Sequence, residues 1–235
     1  MIKNPILATI VIFLLTLTWL RIIDFLAHRG WLETKLSRKV IHIGTGPIFV
    51  LCWMLYPPVP SARYLAALVP LAITGQFVLV GTGLMKDEAA VAALSRTGDR
   101  REILKGPLYY GIIFVLITIF YWHDSPIGIT ALMALCGGDG LADVLGRRFG
   151  KGKLPWSASK SWMGTFGMFA GSWLLAIFVM AVLSSTGLLT STLAEMLFPV
   201  TIICLAATLV ESLPIREIDN ITVTLTALIL GHLLF

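Results

Sequence analysis

Apolar runs of about 15–25 residues recur along the whole chain, and a hydrocarbon core of roughly 30 Å is crossed by about 20 helical residues at 1.5 Å rise. They fall at residues 5–23, 40–56, 63–84, 107–122, 127–146, 163–184, 191–212 and 221–235, the second and last being short. A backbone in lipid must satisfy its own hydrogen bonds, and runs of this length do so as helices. The chain therefore reads as an all-α polytopic integral membrane protein of about eight transmembrane helices, a single domain over residues 1–235 with no soluble appendage. With 57% hydrophobic and 13% charged residues it does not have the balance of a water-soluble domain, so its main solvent is the lipid bilayer. The first run is as long as a full span, and no small-residue cleavage site precedes the basic loop after it. It reads as a membrane helix rather than a removable signal peptide, and a long transit peptide is also missing.

A net charge of +5 in a soluble protein would suggest nucleic acid; here the placement of the charges excludes that partner. With alternate loops assigned to opposite faces, 16 of the 18 basic residues fall on one side. They lie in the loops carrying Arg21 to Lys39, Lys86 to Lys105 and Arg147 to Lys160, together with Arg216; Lys3 and Arg63 fall on the other side. By the positive-inside rule the three long loops are cytoplasmic and both termini face out. Cys52, Cys136 and Cys204 lie within apolar runs and form no Cys-x-x-Cys pair, so they read as small hydrophobes.

Ionisable side chains inside a bilayer cost several kcal/mol unless they have a partner or a task. Asp139 and Asp143 stand in Gly137-Gly138-Asp139-Gly140-Leu141-Ala142-Asp143, and their i, i+4 spacing puts both carboxylates on one helix face. Two like charges so placed repel unless a cation sits between them, and Mg²⁺ is usually held by one or two carboxylates plus substrate phosphates. Counting from Pro126 places the pair roughly 20–25 Å deep, near the cytoplasmic edge. The neighbouring glycines admit a ligand or another helix. The alternative is that they only pack helices while each Asp caps or pairs with a nearby Arg.

The loop that follows runs Gly146-Arg147-Arg148-Phe149-Gly150-Lys151-Gly152-Lys153-Leu154-Pro155-Trp156 to Lys160-Ser161 and Gly164-Thr165. Basic side chains alternating with glycine can wrap a polyphosphate, although alone such a loop is equally ordinary positive-inside charge. Arg38, Lys39 and His42 share one helix face at the start of the second span, a plausible anion contact, although a His at a membrane edge can also be purely structural. Glu211 ends the seventh span and Asp219-Asn220 opens the eighth, on the same surface. Glu195 falls at the opposite interface. No Gly-x-x-x-x-Gly-Lys-Ser/Thr occurs, and Gly138-Asp139-Gly140 departs from the dinucleotide fingerprint, so any nucleotide site is all-helical.

The combination of Arg38-Lys39-x-x-His42, Gly138-Asp139-x-x-Ala142-Asp143-x-x-Gly146-Arg147-x-Phe149-Gly150 with Lys153-Leu154-Pro155-Trp156 and Lys160-Ser161-x-x-Gly164-Thr165, and Glu211-Ser212-Leu213-Pro214 with Asp219-Asn220, resembles the polyprenol kinase family. The resemblance covers roughly residues 36–228, and the length and the Glu-Ser-Leu-Pro segment are most similar to the phytol kinase branch. It implies CTP as donor and phosphoryl transfer to the hydroxyl of a membrane lipid alcohol, giving the lipid monophosphate and CDP. It implies Mg²⁺ on Asp139 and Asp143, and phosphate binding by Arg147, Lys151, Lys153 and Lys160, with Arg38, Lys39 and His42 completing the anion site. Glu211 and His42 are the candidates to take the hydroxyl proton. The expected setting is a prokaryotic cytoplasmic or a thylakoid membrane, with the active site on the cytoplasmic side. The rival is a lipid cytidylyltransferase of the phosphatidate type, whose late Lys-Arg…His-Gly-Gly…Asp-Arg-x-Asp signature is missing after residue 165. An ion-coupled transporter would hold its acids at the midplane rather than at one face.

Overall fold

The computed structural model describes residues 1–95, 97–214 and 218–235. Arg96 and Arg216, counted above among the basic residues, lie outside these, as do the side chains of Asp24, Thr34 and Lys35. Helices form where the apolar runs predict them, and their starts follow local chemistry. Asn4 accepts from the backbone N–H groups of Ile6 and Leu7 and is followed by Pro5, opening α1 at Pro5–His28. Ser125 and Pro126 open α6 at Pro126–Met133, and Thr192 with Glu195 forms a capping box at the start of α9, Leu193–Ser212.

The remaining helices are α2 (Thr34–Leu51), α3 (Ala62–Thr82), the short α4 (Glu88–Leu94), α5 (Gly106–Phe120), α7 (Asp139–Phe149), α8 (Trp162–Ser185) and α10 (Asp219–Leu234). Among the described residues, six helical stretches are long and apolar enough to cross a membrane: Pro5–His28, Ala62–Thr82, Arg100–Phe120, Pro126–Phe149, Trp162–Ser185 and Leu193–Ser212. The chain is a polytopic membrane protein. The second and last expected spans correspond to α2 and α10, which fall short of that standard for different reasons. α10 has 16 residues, while α2 gives part of its length to Arg38, Lys39 and His42.

The expected helix at 127–146 is continuous from Pro126 to Phe149, but α6 and α7 are joined by a π-helical turn over Ala134–Gly138. One added residue in the turn re-aims everything after it, and such turns concentrate at functional sites. Behind it α8 makes backbone-level contact. A Cβ on Gly137 would lie 2.8 Å from the Gly171 carbonyl oxygen, and one on Gly167 would lie 2.7 Å from that of Leu141. This is small-residue packing of the kind membrane helices use in place of hydrophobic burial. On the other side, Gly140 abuts Ile43 of α2. The glycines around Asp139 therefore admit helices.

The basic loop after α7 departs from the all-helical expectation. Lys153–Leu154 (β1) and Ser157–Ser161 (β2) form a small antiparallel hairpin, Lys153 paired with Ser161 and Leu154 with Ser157 around Pro155-Trp156. The Trp156 indole N–H donates to Ser212 Oγ at 3.2 Å, tying the hairpin to the end of α9. The core runs from this end toward the opposite face, where Phe49, Trp53 and Trp122 pack, the two Trp rings stacked 4.9 Å apart.

Candidate active site

Several elements deliver polar groups to one end of the bundle. From α2, Lys39 places its ammonium 3.4 Å from Asp139 Oδ2 and 3.5 Å from Asp143 Oδ2. His42, one turn on, has Nε2 3.2 Å from the same Asp139 oxygen. Arg147 extends Nε to Asp143 Oδ1 at 2.8 Å, an i, i+4 pair on α7. The expected convergence of two carboxylates holds, and the cation between them is Lys39. Repulsion between the acids is thus relieved by an ammonium from another helix, and the Asp–Arg pairing weighed in the sequence is present as well.

Lys160, near the end of β2, forms an ion pair with Glu211, whose carboxylate is 6% exposed at the end of α9. Ser161 then caps α8, accepting from the Gly164 N–H at 3.2 Å. Ser161, Gly164 and Thr165 face the same cavity as the carboxylates, so the positive end of the α8 dipole points into it. The Thr165 hydroxyl is buried there without a hydrogen-bond partner among the described residues.

The cavity holds about 1400 Å³. Arg38, Lys39, His42, Asp139, Asp143, Arg147, Lys153, Lys160 and Glu211 all face it. Arg38 also donates to the Ser95 carbonyl at 3.1 Å, joining α2 to the end of α4. Of the residues expected at the site, Lys151 is the one left outside the wall, exposed in the turn before β1. Beyond the polar rim the cavity continues between α1, α2, α3 and α5 along an apolar arm that includes Phe13, Leu17, Phe49, Phe77 and Phe114. A single small-molecule pocket typically occupies roughly 300–1,000 Å³, so this volume accommodates more than one ligand.

Sequence reasoning missed Tyr110. Its ring packs on His42, centroids 4.6 Å apart, and its hydroxyl donates to the His42 carbonyl at 3.3 Å. A Tyr near the start of an apolar helix carries no pattern that separates it from an interfacial anchor. Lys105 and Arg21 on the rim were legible only as loop charge. Asp219 and Asn220 reach the rim as expected, and Asn220 Nδ2 donates to the Gly106 carbonyl at 3.1 Å, holding α10 to α5.

Among the described residues no three His, Cys, Asp or Glu gather as a self-sufficient metal site. Two adjacent carboxylates, 31% and 25% exposed and open to the cavity, form instead an oxygen donor set that a hard cation completes with ligand phosphates. Asp139 and Asp143 fit Mg²⁺ in that manner.

Curated relatives extend over most of the chain. It is 40% identical over 217 residues to a maize (Zea mays) protein named "Probable phytol kinase, chloroplastic", covering 92% of this chain and 72% of that one. It is 41% identical over 212 residues to the Arabidopsis thaliana "Farnesol kinase, chloroplastic", covering 89% of this chain and 69% of that one. To the Arabidopsis thaliana "Phytol kinase 1, chloroplastic" it is 37% identical over 214 residues, covering 90% and 70%. No family model and no solved structure matches the chain.

Proposed function

The chain belongs to the phytol kinase branch of the polyprenol kinase family, and from that premise we propose that it moves the γ-phosphoryl group of CTP to the hydroxyl of an isoprenoid lipid alcohol such as phytol. The observation that carries this reading is the continuity of one cavity, with carboxylates and cations at its rim and an apolar arm beneath them. Phosphoryl transfer asks chiefly for charge neutralisation and in-line positioning, and these groups supply both.

Lys39, Arg147, Lys153, Lys160 and the start of α8 bind the nucleotide phosphates, and Thr165 Oγ1 finds its missing partner there. Asp139 and Asp143 would hold Mg²⁺, which when bound offsets the charge on the β- and γ-phosphates. The alcohol oxygen attacks the γ-phosphorus, the bond to the β-γ bridging oxygen breaks, and CDP leaves. His42 is the better placed acceptor of the hydroxyl proton. It shares a helix face with Thr45 and Phe49 of the apolar arm and has a carboxylate, Asp139, as its neighbour, whereas Glu211 is held by the Lys160 cation. Glu211 holds Lys160 toward the phosphates. By the clustering of basic loops on this end, the site faces the cytoplasm or its topological equivalent, and both termini lie on the other side.

The test is purified protein with CTP labelled separately in the γ-phosphate and in the cytidine, offered phytol, farnesol and diacylglycerol. The reading expects γ-label on the isoprenoid alcohols, CDP as coproduct, and diacylglycerol the poorer acceptor. Cytidine label in the lipid with release of pyrophosphate would make the protein a cytidylyltransferase instead.

A further inference from the structure

The apolar arm of the cavity has walls on four helices, and three of its seams are shut by side chains at close quarters. Between α1 and α2, Trp19 lies against Gly44, where an added Cβ would meet the indole at 2.4 Å. Between α3 and α5, Thr74 Oγ1 fills the space beside Gly111, 2.2 Å from where its Cβ would be. Between α2 and α5, the His42–Tyr110 and Phe49–Phe114 ring contacts close the gap.

The seam between α1 and α3 differs. At the end far from the site the two helices bury small residues into one core, Ala8 of α1 with Ala62 and Ala66 of α3. Toward the site, Leu17 and Arg21 on α1 and Ala72 and Gln76 on α3 line the cavity and are exposed, whereas Phe49, Val69 and Phe114, which line it too, are buried. Each pair has i, i+4 spacing, so they form two parallel edges, apolar below and polar at the rim. Exposed lining on these two helices, beside buried lining elsewhere in the arm, marks where the arm opens. This mouth lies partway along two helices that are apolar enough to cross a membrane. The arm itself descends only about 10–12 Å below the rim, seven or eight residues of helix from His42 to Phe49 or from Arg21 to Phe13, before Phe13, Phe49 and Phe114 floor it.

We propose that the seam between α1 and α3, edged by Leu17 and Ala72, is a lateral port through which the single-chain lipid alcohol enters from the bilayer and through which its tail remains in lipid while the hydroxyl is phosphorylated. The proposal rests on the lipid-kinase reading and deepens it. A floored arm with an open side reads the part of the acceptor nearest the hydroxyl and leaves the distal tail unmeasured, so tail length beyond the first isoprene units does not select the substrate.

Plugging the port tests it. Leu17→Trp with Ala72→Trp puts two large rings on its edges at positions already exposed to lipid. Leu14→Trp with Leu68→Trp, also on exposed faces of α1 and α3 but away from the cavity, is the positional control. Each is assayed in nanodiscs with phytol and with geraniol, which is short enough to lie inside the arm and soluble enough to arrive from the rim. The port variant is expected to lower kcat/KM for phytol relative to geraniol by about tenfold or more, chiefly through KM, while the control leaves the ratio unchanged. Ala72→Phe alone supplies the same comparison if the double variant does not fold. An unchanged ratio in the port variant, or the same shift in the control, overturns the port. Loss of the underlying reading shows separately, in the unsubstituted chain, which would then phosphorylate neither alcohol and take the port with it.

Discussion

Lys39 on α2 reaches Asp139 on α7 with Nζ 3.4 Å from Oδ2, although 100 positions separate them in the chain. The same ammonium lies 3.5 Å from Asp143, so one lysine holds together two acids that would otherwise repel. Lys39→Met should leave the pair facing each other without a cation from α2 and should lower turnover by about 10²–10³, the loss typical for a preorganised charge at a reaction centre. Steady-state kinetics on protein that retains its unfolding midpoint checks this, and turnover within a few-fold of the unsubstituted chain would show that Lys39 only ties helices.

Glu211 is buried with Lys160 as its ion-pair partner. Lys160→Met strands the carboxylate and should cost about 3–5 kcal/mol of stability, whereas Glu211→Gln, which removes the buried charge, should cost less. Adding Glu211→Leu to Lys160→Met should restore much of the stability but none of the activity, because the phosphate-facing cation is still missing. Thermal unfolding in detergent and turnover, measured on the same preparations, separate the two effects.

Gly137 and Gly171 touch at the backbone where the π-turn meets α8. Gly137→Val sets a side chain 2.8 Å from the Gly171 carbonyl oxygen and must push α8 away, at about 1–3 kcal/mol. Asp139 and Asp143 ride on α7 while Ser161 and Thr165 sit at the start of α8, so activity should fall further than stability. Gly75→Ala, where an added Cβ meets nothing within 4 Å, should be silent in both assays.

The orientation is open to direct labelling. Ser159→Cys, exposed on the hairpin, should react with an impermeant maleimide only from the side that bears the basic loops, and Ser125→Cys only from the other. Labelling of Ser159→Cys from the second side would invert the topology and remove the access to soluble nucleotide that the proposed reaction needs.

Much of the site was legible because membrane helices make exceptions conspicuous. Asp139 and Asp143 stand out in an apolar run, and helical spacing alone puts them on one face. The ammonium beside them was not legible, since nothing in residues 38–42 says that Lys39 crosses to α7. The π-turn over Ala134–Gly138 has no signature beyond its glycines, and these equally suit plain helix packing. The β1–β2 hairpin is too short for alternation to show, and its strongest tether, Trp156 to Ser212, is long-range. Two of the expected spans, α2 and α10, lack the length or apolarity of the rest, in α2 because the site uses its polar face. The port exists only as a relation between α1 and α3, and no single segment carries it.

The most direct measurement of the central claim is the Mg²⁺-dependent conversion of CTP to CDP, with phytol as acceptor, by Asp139→Asn and Asp143→Asn proteins whose detergent unfolding matches the unsubstituted chain. Asn preserves size and an amide oxygen that can still accept from Lys39 and Arg147 while removing the charge, so the fold should survive. The account predicts that each substitution lowers turnover by orders of magnitude, several kcal/mol of barrier, and raises the Mg²⁺ concentration needed for what remains. A well-folded Asp139→Asn or Asp143→Asn protein with near-normal turnover and unchanged Mg²⁺ dependence would contradict it.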